Sequence, residues 1–476
     1  MVAGDNSSNG VNGINDNHLY KIFVMKKRYL LAAVLMAGFS QTFAQKNEQI
    51  RLITLDPGHF HAALVQKNMF PNVSAEVKVY APQGKDLDMH LARINGYNTR
   101  VQNPTAWKEI LYTSPDFFEK MVSEKAGNVV VMAGNNKKKT EYIKKAIDAG
   151  FNVLADKPMV IDPQNFDMLK AAFESAKKKG VLLYDIMTER SEITTMLQRE
   201  FSMDASVFGT LQKGTPENPA VTKESVHHFW KYVSGSVLTR PAWFMDVAQQ
   251  GEGIVDVNTH LVDLIQWECF PEQIIDYKKD IKLTSAKRWS TDMTLTQFKE
   301  ITQLEQFPQY LQKDVNGDVL KVYSNGEINY TIKGVHAKAS VIWAYKAPEG
   351  GGDTHYSIMR GTKANLVIRQ GAEQKYQPVL SIEPLKNSTN FEKKLVLAVA
   401  KIAQKYPGIE VQKTSKGWDV IVPDKYKDGH EAHFGLVAQR YMQYLKDGKL
   451  PVWEVPNMLA KYYTTTEALK LAQKTK

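Results

Sequence analysis

Residues 128–158 read NVVVMAGNNKKKTEYIKKAIDAGFNVLADKP. The apolar run from Asn128 to Ala133 has no polar interruption after its first residue, the mark of a strand buried on both faces of a parallel sheet. Residues 137–149 predict an amphipathic helix stopped by Gly150. Asn152–Ala155 predicts a second strand, ending in Asp156-Lys157-Pro158. Working outward, Ile50–Leu55 reads as a strand, residues 60–69 as a helix and Glu76–Tyr80 as a strand. Residues 86–124 read as helical with interruptions at Gly96 and Pro104. Residues 163–179 form a helix closed by Gly180, followed by a strand over Val181–Ile186. Repeated strand–helix units mean a doubly wound parallel sheet with helices on both faces.

The text changes near residue 205. Asn316-Gly317 and Asn325-Gly326 are hairpin-turn dipeptides, the second lying between the strand candidates Val319–Tyr323 and Ile328–Ile332. Ala337–Tyr345 and Ala364–Arg369 predict further strands, Gly350–Gly352 a loop, and the last part, about 431–446 and 456–474, helices. The expected fold is therefore an α/β Rossmann-type domain over residues 48–200. An α+β domain with a large, mainly antiparallel open sheet follows over 201–476, its last helices packing back on the first.

The chain has 476 residues, one cysteine (Cys269) and a formal net charge of +10. One cysteine excludes an intramolecular disulfide framework and a cysteine-rich metal site. The composition, 43 % hydrophobic and 24 % charged, is that of a globular protein and excludes a coiled coil or a polytopic membrane protein. The basic excess does not predict a nucleic-acid partner, because its runs, Lys137–Lys139 and Lys177–Lys179, fall on helix surfaces where solvated charge is the default. Residues 1–44 read as a leader. A polar stretch precedes Met25, and Lys26-Lys27-Arg28, a short apolar run and Thr42-Phe43-Ala44 compose a secretory signal peptide. The apolar run falls short of the roughly 20 residues that span a bilayer, so the expectation is Sec-type export to the periplasm with no stable membrane anchor.

Four places carry chemistry. Asp56-Pro57-Gly58-His59-Phe60-His61-Ala62 follows the first strand, where a dinucleotide fingerprint wants G-x-G-x-x-G. Aligned on Gly58, the other two glycines are Asp56 and His61. The acid expected after strand two for the ribose hydroxyls is missing from Tyr80 and Ala81; Asp86 is the nearest. His59-x-His61 also suits a metal pair of the amidohydrolase-barrel kind. That fold needs eight strand–helix units, which the text after 205 does not supply, so no metal is expected. Lys157 stands at the carboxyl end of a parallel strand, at the ligand crevice. In Gly251-Glu252-Gly253-Ile254-Val255-Asp256-Val257-Asn258-Thr259-His260-Leu261-Val262-Asp263, Asp256 and His260 are four apart and would share a helix face. Such a pair suits a general base and its orienter, and also occurs as a structural cap. Ile358 to Ile368 reads as a turn feeding a strand.

In this order the segments resemble the glucose–fructose oxidoreductase/inositol dehydrogenase (Gfo/Idh/MocA) family. The resemblance rests on Gly58, Gly134-Asn135-Asn136, Asp156-Lys157-Pro158 in place of Glu-Lys-Pro, Gly251 to Asp263, and Gly361-Thr362-Lys363. It covers about residues 50–370, with a tail like that of exported Bacteroidetes-type members. It implies NAD(P), with NAD favoured, held by Gly58, His59, Phe60, His61, Asn135, Asn136, Asp156, Lys157 and Pro158. It also implies oxidation or reduction of a secondary hydroxyl of a sugar or glycoside. His260 would be the base, Asp256 its orienter or a substrate ligand, and Lys157 the cation that polarises the oxygen. His227, His228, Trp243, Phe244 and Asp263 would line the substrate site, with Lys231 nearby; Arg190 is a further candidate there, expected to hold the domains together rather than to touch substrate. A redox-assisted glycosidase or lyase of the same fold uses the same residues. A sugar-binding protein that has lost its cofactor is the non-catalytic alternative. Homo-oligomers are usual for such folds.

Overall fold

Val129–Met132, the apolar run quoted above, is buried at all four positions. As β4 it forms the middle of a six-stranded parallel sheet with β1 (Leu52–Leu55), β2 (Glu76–Tyr80), β3 (Lys108–Tyr112), β5 (Asn152–Asp156) and β6 (Leu183–Ile186). The order is β3-β2-β1-β4-β5-β6, so the winding reverses between β1 and β4. In such sheets a crevice opens at that switch, beyond the carboxyl ends of the strands. This computed structural model describes residues 49–474 apart from 234, 235 and 387; the predicted leader lies outside the described residues. Among those described, no helix is long and apolar enough to cross a membrane.

The second sheet has ten strands. Its path runs Ile281–Thr294, Val319–Ile332, Val335–Lys346, Val221–Trp230, Thr354–Arg360, Ala364–Gln370, Val379–Pro384, Trp418–Ile421 and Glu410–Lys413, with Val315–Asn316 paired beside Val319–Ile332. Every pairing is antiparallel except that of Val335–Lys346 with Val221–Trp230. The chain is thus a Rossmann-type parallel sheet followed by a large, mainly antiparallel one.

Three local expectations are corrected. Residues 86–124 are not all helical: β3 lies between the helices Lys85–Thr99 and Phe117–Glu124. It is the exposed edge strand, with Ile110 and Leu111 open to solvent, so its sequence lacks the apolar run of the inner strands. The helix after β1 is one turn, His61–Leu64. Asn325-Gly326 is not a turn but the middle of the strand Val319–Ile332. The loop Gly253-Ile254 crosses that strand, and a Cβ on Gly326 would lie 2.3 Å from Ile254 Cγ1. Glycine here admits a second backbone. Asn325 donates to Thr291 Oγ1 and accepts from the Trp343 amide. The reversal comes later, at Lys333 and Gly334, both with positive φ.

The C-terminal helix Glu454–Lys474 is buried along most of its length. Met458 and Tyr462 belong to the core of the parallel sheet, while Ala460, Ala468 and Leu469 belong to that of the second. Between the cores Lys461 Nζ meets Asp185 Oδ2 at 2.6 Å and Asp263 Oδ1 at 2.8 Å. Asp263 also takes Arg190 Nε and Nη2, each at 2.7 Å, and Arg190 Nη1 meets Glu454 Oε1 at 3.0 Å. None of these side chains is more than 3 % exposed. Removing one member of a buried charge set leaves the others uncompensated, at about 3–5 kcal/mol. Lys461→Met is therefore expected to lower unfolding free energy by about that amount in urea titration, with the folded baseline of the spectrum unchanged.

Candidate active site

The crevice is built from segments that leave the carboxyl ends of β1, β2, β4 and β5. Lys157 follows β5, and its peptide bond to Pro158 is cis. Lys157 Nζ lies 2.6 Å from Asp256 Oδ1, and Gln250 Nε2 donates to Asp256 Oδ2 at 3.0 Å. Asp256 comes just before the helix Asn258–Cys269, so the Asp256–His260 helix-face pair expected from the spacing does not form. Asp256 positions Lys157 instead. His260 Nδ1 is buried with no hydrogen-bond partner among the described residues. Burial first, and then the Lys157 charge, lower the His260 pKa well below its ordinary value, so the ring is neutral at physiological pH.

Asn135 and Asn136 follow β4. Their amides donate to Gln249 Oε1 at 2.6 Å and to the Gln250 carbonyl at 2.7 Å, tying the first sheet to the segment before Asp256. Gly58 and Gly134 sit where backbones crowd. A Cβ on Gly134 would lie 2.2 Å from the Asp56 carbonyl, and one on Gly58 would lie 2.9 Å from Asp86 Oδ2 and 3.2 Å from the Trp243 ring. Asp86 therefore reaches the glycine turn, although it stands in the first turn of Lys85–Thr99 rather than at the end of β2. Sequence spacing understated it. Gly58, His59, Phe60, Asp86, Arg240 and Phe244 line a cleft of about 420 Å³. The cramped glycines, the acid at the β2 side and the Lys157 cation beyond β5 fit a nicotinamide dinucleotide along the sheet edge.

The other expected substrate residues divide. His227 and His228 lie with Lys231 around Asp353, with Nδ1 and Nζ contacts of 3.3, 3.0 and 2.6 Å. Asp353, which the sequence did not signal, would be raised by burial, but its hydrogen bonds to both histidines hold it far below the carboxylate range. Lys231 is near enough to lower the pKa of both His61 and His430, which joins this cluster to the crevice. Trp243 is not a sugar platform: it is buried, roofs Gly58 and donates from Nε1 to Asp86 Oδ2 at 2.8 Å. Phe244 packs under Arg240, 4.5 Å from its guanidinium, and faces the cleft. Arg190 and Asp263 do not line the crevice. Both are consumed in the buried ion network and hold the two sheets together. Burial alone would raise the Asp263 carboxyl; Arg190 and Lys461 overcome that and keep it well below its ordinary value.

Fold and site together define an NAD(P)-binding oxidoreductase. Residues 81–185 match the family described as "Oxidoreductase family, NAD-binding Rossmann fold", and residues 197–473 the one described as "Putative oxidoreductase C terminal domain". The chain belongs to the Gfo/Idh/MocA family of oxidoreductases. It is similar to a crystal structure described as a "putative oxidoreductase" from Parabacteroides merdae, at 59 % identity and TM-score 0.89, covering 91 % of this chain and 100 % of that one. An oxidoreductase structure from Thermotoga maritima shares the fold at 11 % identity and TM-score 0.56, covering 90 % and 99 %. Levoglucosan dehydrogenase in complex with NADH and L-sorbose does so at 12 % and 0.57, covering 90 % and 97 %. No curated protein matches the sequence.

Asp56 is the departure with the clearest energetic consequence. It adopts a positive φ of 46° where the fingerprint has glycine. Burial, and then the Asp86 charge, raise its pKa to about 6. The folded state thus holds this proton more tightly than the unfolded chain, and stability falls as pH rises from about 4 through about 6. Asp56→Asn keeps a residue tolerant of positive φ and removes the charge. The nucleotide-free variant is expected to be more stable than the parent by roughly 1–3 kcal/mol at pH 7, with the gain vanishing below about pH 4. Denaturant midpoints across that range check it.

Proposed function

We propose that this protein oxidises or reduces a secondary hydroxyl of a sugar or glycoside, with NAD held tightly in the crevice. The observation that carries the reading is the Lys157–Asp256 pair at the carboxyl end of β5 beside a half-buried, neutral His260. The levoglucosan dehydrogenase complexes with NADH and sugars support a sugar-like alcohol. Asp86 beside Gly58 supports NAD over NADP, since an acid there pairs with ribose hydroxyls and repels a phosphate.

The nicotinamide, when bound, supplies or accepts the hydride. The protein handles the proton and the charge. Lys157 donates a hydrogen bond to the reacting oxygen and stabilises its negative charge, and Asp256 holds the ammonium in place. His260 takes the hydroxyl proton on oxidation and returns it on reduction. His227, His228, Lys231 and Phe244 face the sugar's other hydroxyls and its ring. Export, read from the leader alone, would place the reaction where free cofactor is scarce, which favours a retained nucleotide cycled between two substrates. Copies would associate through the open face of the second sheet, where Trp289 and Ile342 are exposed.

The test is turnover of a panel of aryl glycosides and free sugars with product analysis. His260→Ala and Lys157→Ala are each expected to lose about 10²–10⁴ of turnover, the usual share of a positioned proton-transfer group, while retaining the nucleotide. Two fully active variants would overturn the assignment. Free reducing sugar released from the glycosides would point to the redox-assisted glycosidase.

The pH profile gives a second check. Because burial depresses His260, its proton-accepting form persists as pH falls through 6.5, its ordinary pKa. The acid limb of kcat/KM for alcohol oxidation is therefore expected well below pH 6.5. A limb centred at 6.5 or above that disappears in His260→Ala would contradict the assigned environment.

A further inference from the structure

The turn after β1 is where this chain departs furthest from a phosphate-binding loop. The match to the NAD-binding family begins at residue 81, beyond the turn. Two fingerprint positions are Asp56 and His61, and the helix that should present its N-terminus to a pyrophosphate is four residues long. Beside the turn stands a cluster of side chains of metal-ligand type. His61 Nδ1 lies 2.9 Å from Asp156 Oδ2, the His59 and His61 ring centroids are 3.8 Å apart, and one ligand atom from each of His59, His61 and Asp156 falls within 4.8 Å of the other two.

We propose that His59, His61 and Asp156 bind a single divalent transition-metal ion, of the zinc or iron(II) class, at the carboxyl ends of β1 and β5. Two imidazoles and a carboxylate are the donor set of open rather than closed metal sites, three protein ligands with at least one position left for a small molecule. Donors of a tetrahedral zinc lie about 3.3 Å apart at bond lengths near 2.0 Å, so the widest gap closes by side-chain rotation of about 1.5 Å or less. His59 lines the cleft, and the open position faces that way. His61 and Asp156 are buried behind it.

Two further observations agree. The nearby lysines do not fill the site. Lys157 is held by Asp256, and Lys139 Nζ turns to the Asp156 backbone carbonyl at 3.2 Å, with its pKa lowered to about 8, chiefly by burial. Finally, more nitrogen donors surround the cluster: the His430 ring centroid is 5.8 Å from that of His61, and His260 has its unpartnered buried Nδ1.

The experiment uses the purified full-length protein, stripped with a chelator and then offered zinc, desalted and assayed by elemental analysis. About one zinc per chain is expected to be retained. His61→Ala and Asp156→Asn should each weaken retention by at least roughly tenfold, beyond what loss of an outer-sphere partner typically costs at the low end, with far-UV circular dichroism confirming that they fold. His336→Ala, whose ring lies in the second sheet away from the cluster, is the control and should retain zinc like the parent. Cobalt(II) gives a readout that needs no variant: visible d–d bands of a low-coordinate nitrogen–oxygen site are expected on loading the parent. No retained zinc and no cobalt bands would overturn the proposal, as would retention unchanged in His61→Ala and Asp156→Asn. Neither result depends on whether a nucleotide binds, so this site and the dehydrogenase reading fail separately.

Discussion

Lys461 is the residue on which the rest of the arrangement depends. Its ammonium is fully buried between Asp185, at the end of β6, and Asp263, on the helix that carries His260. An unpaired charge in that position would cost several kcal/mol; with two carboxylates it becomes a rigid joint between the sheets. Arg190 and Glu454 extend the joint to the start of the C-terminal helix. The distance between Lys157 on one sheet and His260 against the other is thereby set from behind. Geometry at the reacting atoms needs such support, because small misplacements cost large factors in rate.

The joint explains why the segment from Asp256 to Asp263 serves two purposes. Its first carboxylate faces the crevice and holds Lys157; its last faces the core and holds Arg190 and Lys461. His260 lies between them, against the crevice. Three residues that a linear motif presents as one site are divided between the crevice, where Asp256 and His260 stand, and the buried joint, which takes Asp263.

The parallel sheet was legible where burial left a mark. Val129–Met132 and Val153–Ala155 are apolar because both faces are covered, and Gly150 and Gly180 stop their helices in positive-φ conformations. β3 was not legible, because an edge strand of Lys, Glu, Ile, Leu and Tyr carries no burial signature. Asn325-Gly326 misled because local turn chemistry and close backbone packing select the same residues. At the site, Lys157 could be placed from its strand end alone, whereas Asp86 and Asp353 could not: each acts through a fold-made contact with no fixed sequence spacing. The pairing of Asp263 with Lys461 was invisible for the same reason, since charge at a motif position reads as function until its burial is known.

The central claim is that the crevice at β1 and β4 holds a nicotinamide dinucleotide despite its altered glycine turn. Dialysis of the purified protein against cofactor-free buffer, followed by denaturation and enzymatic assay of the released nucleotide, tests it most directly. The account predicts close to one equivalent of NAD per chain, as nanomolar retention worth about 12 kcal/mol would give. Protein that releases no nucleotide, and that neither binds added NAD nor is stabilised by it at millimolar concentration, would contradict it.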